Sequence, residues 1–394
     1  MNYMFSDRIA SLQPSAIREI LKATSDPSVI PFAAGNPAEE AFPVKEIAAI
    51  SADIMAKEPI AALQYSISEG LPSLRESAFA FAQRHEPLNL CNDQCLIMSG
   101  AQQGVELSAK TFCNEGDTVI CEDPSFIGSL NALRSYKLNL VGVPMESDGI
   151  DLAKLEEALR QNPRTKLLYL IPNFQNPSGI TTSAAKRRAV YDLAVKYGVL
   201  ILEDNPYEEL RISGVRVPSI KSLDTQGIVL YCGSFSKVLS PGMRVGYIIA
   251  PAPAAAKLTV AKQCSDVHTT IWAQMVCDRF LRTVDMDAHV ARLQEIYRRK
   301  CNLMLGEMDK AFHSSVTYTR PEGGLFIWAA LPGGVDMMDF CRKAVSLKVA
   351  IVPGTAFTAD TAASSQCFRL NFSTPSDEGI VKGVSILGEL THNL

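Results

Sequence analysis

Ser234-Phe235-Ser236-Lys237-Val238-Leu239-Ser240-Pro241-Gly242-Met243-Arg244-Val245-Gly246-Tyr247 sets one lysine between small hydroxyl residues and one arginine beyond a Ser-Pro-Gly turn. A lysine that is to form an imine must be kept from bulk water, because desolvation lowers its pKa and frees its lone pair. Small neighbours let a bulky ligand approach. Ser234, Ser236 and Arg244 add hydroxyl donors and a guanidinium fork, the equipment for a phosphate ester. The apolar run from Gly227 to Cys232 reads as a buried strand. Lys237 then falls just past a strand end, where open α/β sheets keep their ligands. Alone, the stretch is only suggestive, since most lysines are solvated surface charges. It is not a Walker phosphate loop, whose Gly-x-x-x-x-Gly-Lys-Ser/Thr pattern is missing.

Two upstream segments change the balance. Asp204-Asn205-Pro206-Tyr207 follows the apolar run Val199–Leu202, and Asn173-Phe174-Gln175-Asn176-Pro177-Ser178-Gly179 follows Leu167–Ile171. Each puts polar groups at the C-terminal end of a buried strand. A carboxylate, an amide, a phenol, a lysine and a phosphate site meeting there suit pyridoxal 5'-phosphate (PLP). That cofactor needs a counter-ion for its pyridinium nitrogen, donors for its phenolate oxygen and a lysine for its aldehyde.

With Asn-Pro-x-Gly at 176–179, Asp-x-x-Tyr at 204–207, Ser-x-Ser-Lys at 234–237, Arg244, and Phe368-Arg369-Leu370-Asn371-Phe372 downstream, the chain resembles the class I aminotransferases of PLP fold type I almost end to end. The opening Pro14-Ser15-Ala16-Ile17-Arg18-Glu19-Ile20-Leu21-Lys22 resembles the branch of 2-aminoadipate, kynurenine and aromatic aminotransferases. The resemblance implies catalytic roles for Lys237, Asp204 and Tyr207, with Asn176 sharing the phenolate oxygen with Tyr207. It implies that Arg369 and Gly35 meet the substrate carboxylate, that Phe126 stacks on the pyridine, and that Tyr65 reaches the phosphate of a partner subunit in a homodimer with shared sites. Arg18, on an arm helix starting near Ser15, reads from sequence alone as solvated; the resemblance brings it to the substrate side chain. The implied reaction is a ping-pong amino-group transfer through a lysine imine, from an L-amino acid to a 2-oxo acid such as 2-oxoglutarate. A β-lyase or decarboxylase on the same core is the competing reading.

The rest of the chain agrees with an enzyme of this kind. At 394 residues it has room for two substantial cores. A net charge of -4 gives no reason to expect nucleic acid or an anionic membrane as partner. Ten cysteines scattered through apolar segments suggest reduced thiols and a cytoplasmic protein. Cys91 and Cys95 have no second pair or histidine cluster, so no metal site is expected. Asp7 and Arg8 interrupt the start where a signal peptide needs an apolar run. A transcription regulator on this fold would need a basic helix-turn-helix extension, and only the short arm precedes the fold. A Rossmann nucleotide enzyme would need Gly-x-Gly-x-x-Gly, which is missing.

The order of elements completes the expectation. A strand at Cys95–Met98 delivers Ser99-Gly100-Ala101-Gln102 to a helix start, whose free N–H groups favour a phosphate. Strands and helices then alternate through residue 250, which argues a mostly parallel sheet. The resemblance implies seven strands, with Val245–Ala250 the single antiparallel one. The expected architecture is an arm at 1–45 packing with the small domain, a large cofactor-binding α/β domain at 46–290, and a smaller α+β domain at 291–394. Arg369, inside an apolar strand, needs a carboxylate from the protein or from a ligand.

Overall fold

The computed structural model describes residues 3–10, 12, 26–88 and 92–394. The arm helix expected from Ser15, and Arg18 with it, lies outside the described residues. The large sheet contains β1 (Asp93–Met98), β2 (Thr118–Asp123), β3 (Asn139–Glu146), β4 (Gly149–Ile150), β5 (Thr165–Leu170), β6 (Leu200–Asn205), β7 (Val229–Ser234) and β8 (Gly246–Pro251). Their order across the sheet is β1-β8-β7-β6-β5-β2-β3-β4. β8 is antiparallel to both neighbours, as expected. The count is eight rather than seven, and β8 is not the single antiparallel strand. Ser147 and Asp148 turn the chain, Gly149 takes φ 123°, and the two residues of β4 fold back on Met145 and Glu146. So short a hairpin carries no periodicity to read.

The buried strands alternate between two cores, as a two-residue side-chain period requires. Ile120, Leu168, Ile201 and Val229 face the helices Leu152–Gln161 and Ala184–Tyr197. Val119, Cys121, Leu167, Tyr169, Leu202 and Leu230 face the opposite way, into the larger core. Ser183 caps the helix Ala184–Tyr197 by accepting from the Lys186 N–H, and Gly198 ends it in the left-handed region.

The second sheet, antiparallel throughout, has the order β11 (Val352–Pro353), β12 (Cys367–Asn371), β10 (Phe326–Ala330), β9 (Thr317–Tyr318). Just before β11, Val349 pairs with Ile30 through an isolated parallel bridge. The helices Met286–Ala311 and Asp377–His392 pack against each other here. The segment around Phe32 is tied to this unit, with the Asn371 N–H donating to the Phe32 carbonyl at 2.9 Å. No helix among the described residues is long and apolar enough to cross a membrane.

Candidate active site

The helix Ala101–Phe112 packs against β6, β7 and β8, and the second sheet reaches the same region through Arg369, which donates to Asn176 beyond β5. Lys237, three residues past β7, sends its Nζ to the Gly35 carbonyl at 2.7 Å. Burial, with the nearby charges of Arg369 and Arg244, lowers its pKa to about 8. The residue as a whole keeps partial exposure.

The residues expected to meet a phosphate, Ser234, Ser236 and Arg244, sit at the end of β7 and beside the start of the helix Ala101–Phe112. Ser234 and Ser236 are buried, and the Ser236 N–H donates to Ser234 Oγ at 3.1 Å. Arg244 takes a left-handed φ of 53° and donates from Nη2 to the Ser99 carbonyl at 3.2 Å. Its guanidinium lies so close to Gly100 that a Cβ there would meet Nη2 at 2.1 Å, and Gly100 itself sits at φ 82°. Only glycine serves both demands. No side chain caps the helix that Gly100 opens, so its first N–H groups remain for a ligand. Gln102 points elsewhere, donating from Nε2 to the Gly128 carbonyl at 2.9 Å. Behind the cradle, Lys262 donates to Gln103 Oε1 at 2.7 Å and to both oxygens of Asp266 at 3.0 Å. Asp266 in turn accepts from Ser99 Oγ at 2.6 Å.

Asp204, the last residue but one of β6, pairs with Cys232 of β7, and burial raises its pKa to about 6. Its Oδ2 accepts from the Tyr169 hydroxyl at 2.8 Å, while its buried Oδ1 has no partner. Asn176 Nδ2 bonds the Tyr207 hydroxyl at 3.3 Å. Burial, then Asp204, raises that phenol to about 12. The loop carrying Asn176 is shaped from below: Gln175 Nε2 donates to the Pro124 carbonyl at 2.7 Å and to Glu122 at 3.3 Å. Glu122 also accepts from the Ile171 N–H, and burial lifts its carboxyl to about 8. Phe126 is partly covered, its ring against Gly128, where a Cβ would come within 2.6 Å of it.

Arg369 is buried on β12 between two aromatic rings, with its guanidinium carbon 4.3 Å from the Phe326 centroid and 5.0 Å from that of Phe357. It donates to Asn176 Oδ1 and to the Ala33 carbonyl, both at 2.9 Å. Its Nε is buried without a partner, and no carboxylate pairs with it among the described residues. Burial lowers its pKa to about 10. Of the two possibilities left by the sequence, a protein carboxylate or a ligand, the first is not found among the described residues.

Sequence reasoning missed Tyr169, Phe326 and Phe357. A tyrosine in an apolar strand was itself a signal, because a buried phenol needs a hydrogen-bond partner. Tyr65 stands apart from the cluster within its own chain. It is 82% exposed, and its ring contact is an edge-to-face one with His268 at 5.8 Å.

The residues fit PLP on three counts. A buried carboxylate oxygen lacks a donor, a glycine cradle lies under an arginine, and a lysine amine is poised near neutrality. Together with the sheet, they define a PLP-dependent enzyme of fold type I. The chain matches the profile "Aminotransferase class I and II" over residues 27–387, and it belongs to that family. It is 36% identical to the aromatic-amino-acid aminotransferase 1 of Thermococcus litoralis, over 98% of this chain and 93% of that one. It is 38% identical to the 2-aminoadipate transaminase of Thermus thermophilus, over 99% and 97%. The crystal structure of the α-aminoadipate aminotransferase of that bacterium, complexed with N-(5'-phosphopyridoxyl)-L-leucine, superposes with a TM-score of 0.90 at 37% identity, covering 99% and 97%.

Proposed function

We propose that this aminotransferase takes the amino group of 2-aminoadipate, aromatic or aliphatic L-amino acids and passes it to a 2-oxo acid such as 2-oxoglutarate. Both substrates would use one site in turn, in ping-pong order. One observation carries the reading: a buried arginine with no carboxylate partner among the described residues bonds the Ala33 carbonyl, two residues from the Gly35 carbonyl that holds Lys237, and its charge helps to lower that lysine's pKa to about 8. Relatives whose names specify aromatic amino acids and 2-aminoadipate support the substrate range.

Gly100, Ala101, Ser234, Ser236 and Arg244 would hold the phosphate, with Gln102 fixing the cradle through Gly128. Asp204 would meet the pyridine nitrogen, Phe126 the ring face, and Asn176 and Tyr207 the phenolate oxygen. Lys237 would hold the aldehyde. When bound, PLP supplies an electron sink for the carbanion left at the substrate Cα. The protein supplies the rest. Arg369 grips the substrate α-carboxylate through a bidentate pair, its rings excluding water from the contact. Asn176, bonded to both Arg369 and Tyr207, ties the carboxylate clamp to the cofactor face. Lys237 Nζ would take the proton from the substrate Cα and deliver it to the cofactor carbon that carried the aldehyde, a task suited to an amine whose pKa burial lowers to about 8.

A panel of amino acids against 2-oxoglutarate and pyruvate, with products identified, tests this reading. Oxo acid and new amino acid in equal amounts are expected. Release of carbon dioxide, or of ammonia with an eliminated side-chain group, would replace the reading with a decarboxylase or a β-lyase. The Arg18 reading belongs to the same panel. Arg18→Ala should weaken kcat/KM for acidic donors about tenfold to a hundredfold and leave apolar donors nearly unchanged, as loss of one charge-assisted contact implies.

A homodimer with Tyr65 completing the partner's phosphate site belongs to the same proposal. Ile60, Leu63, Tyr65 and Ile67 form an exposed, largely apolar run, which a second copy would cover. Mixing Lys237→Ala with Tyr65→Ala should restore activity, because mixed dimers contain one site with both residues intact. No recovery after demonstrated subunit exchange would mean that Tyr65 serves only its own subunit.

A further inference from the structure

The two oxygens of Asp204 have different surroundings. Oδ2 accepts from the Tyr169 hydroxyl at 2.8 Å, and Oδ1 is buried and unpartnered. Tyr169 lies on β5 opposite Leu202 of β6, and its own side chain is fully buried. The two-residue alternation of strands puts Leu202 and Asp204 on one face, and Tyr169 stands on that face from the neighbouring strand. Its ring is held by the sheet on a stem with only two torsions, so its hydroxyl occupies one place.

Three other titratable groups surround this carboxylate: Cys232 opposite it on β7 and Tyr207 beyond the end of β6, and Glu122 of β2, which strand alternation puts on the other face of the sheet, where it bonds the Ile171 N–H and Gln175. Burial raises all three, Glu122 to about 8, so none carries a full charge near neutral pH. Tyr169 is likewise held neutral, its phenol pushed well above the ordinary range. Asp204 must therefore keep its charge without a cation beside it. A carboxylate in such surroundings tends to take up a proton, and a hydroxyl donor favours the ionised form. The terminal torsion of an aspartate is soft, so that same bond also decides which oxygen looks into the site.

We propose that Tyr169 is a positioning residue for the cofactor: by bonding Asp204 Oδ2 it keeps the carboxylate ionised and turns Oδ1 toward the protonated pyridine nitrogen. This rests on the assignment of Asp204 to that nitrogen. Tyr169 touches neither substrate nor the reacting atoms and acts through Asp204.

The test uses the full-length protein freed of cofactor and titrated with pyridoxamine 5'-phosphate carrying 15N in its ring, which makes no covalent bond to Lys237. Two quantities are read, the Kd and the ring 15N chemical shift, and the shift reports whether the nitrogen is protonated. Tyr169→Phe keeps the ring and should weaken Kd about tenfold or more, as loss of a hydrogen bond to a charged group implies. The 15N resonance should move toward the unprotonated position. Asp204→Asn should move both quantities further in the same direction. Adding Tyr169→Phe to Asp204→Asn should then weaken Kd by less than about threefold, because the two residues act as one unit. Placing 4-aminophenylalanine at position 169 keeps the shape with a weaker donor and should fall between wild type and Tyr169→Phe; it also serves if Tyr169→Phe does not fold. Losses that simply add, or an unchanged 15N shift in Tyr169→Phe beside a changed one in Asp204→Asn, would leave Tyr169 as packing and overturn the proposal. If Asp204→Asn moves neither quantity, the assignment of Asp204 fails and the proposal falls with it.

Discussion

Lys237→Ala should lower the rate of amino-group transfer on the order of 10⁴-fold while pyridoxamine 5'-phosphate still binds. A positioned general base contributes about 10²- to 10⁴-fold on its own. Here the same nitrogen also holds the cofactor aldehyde, so two functions disappear together. Binding survives because Asp204, Arg244 and the start of the helix Ala101–Phe112 are untouched. Borohydride treatment of the loaded protein should fix the cofactor to Lys237 and to no other lysine, and peptide mapping reads this directly. A second measurement uses the lowered pKa. Burial, Arg369 and Arg244 all oppose the ammonium form, so the amine is freed as pH rises through about 8 instead of the usual value near 10.5. The rate at which cofactor-free protein captures the aldehyde should therefore climb from pH 6 and level off above pH 8. A rate still rising steeply at pH 10 would mean that Lys237 is solvated, and a reduced adduct on another lysine would remove it from the site.

What could be read in the chain follows from where this fold keeps its chemistry. Strands β5, β6 and β7 announce themselves as short apolar runs; Asn176 and Lys237 follow the ends of β5 and β7, and Asp204 is the last residue but one of β6. Local reading therefore reached the strand and the site together. The glycine at 100 was visible as a helix start, but the reason for it was not. That reason is a backbone φ of 82°, taken where the chain passes beside the guanidinium of Arg244. Long-range partners were the general blind spot. Arg369 was conspicuous as a charge in an apolar strand, yet its flanking rings come from Phe326 on β10 and Phe357 in the loop before β12. Nothing in the periodicity around Arg369 names them. Tyr169 was hidden for the opposite reason, since tyrosine is at home in strands and packs without comment. The two-residue β4 fell below the length at which alternation means anything. Gln102 was read as a cofactor ligand through the N–H groups of a helix start, and the bond its side-chain amide makes to the Gly128 carbonyl was not legible there.

Arg369→Met should lower kcat/KM about 100- to 1000-fold for every α-amino acid and 2-oxo acid that the enzyme uses. The expectation rests on three features of the site. The guanidinium is buried and stacked between Phe326 and Phe357, so a carboxylate meeting it is also removed from water. Removing one member of such a desolvated charge pair costs about 2–5 kcal/mol, and about 1.4 kcal/mol corresponds to tenfold. Methionine is long and apolar enough to fill the slot between the rings, which keeps the loss of charge separate from the loss of packing. The Ala33 carbonyl and Asn176 Oδ1 lose their donors in the variant, so a moderate fall in thermal stability is expected alongside. Two comparisons isolate the carboxylate. Affinity for pyridoxamine 5'-phosphate should change by no more than about threefold, because Arg369 reaches that site only through Asn176. A primary amine without a carboxylate, such as benzylamine, should react as slowly with Arg369→Met as with wild type, since it has nothing for the arginine to grip. Equal losses for benzylamine and phenylalanine would show that Arg369 serves the fold and the Asn176 loop, and the carboxylate site would then have to lie elsewhere.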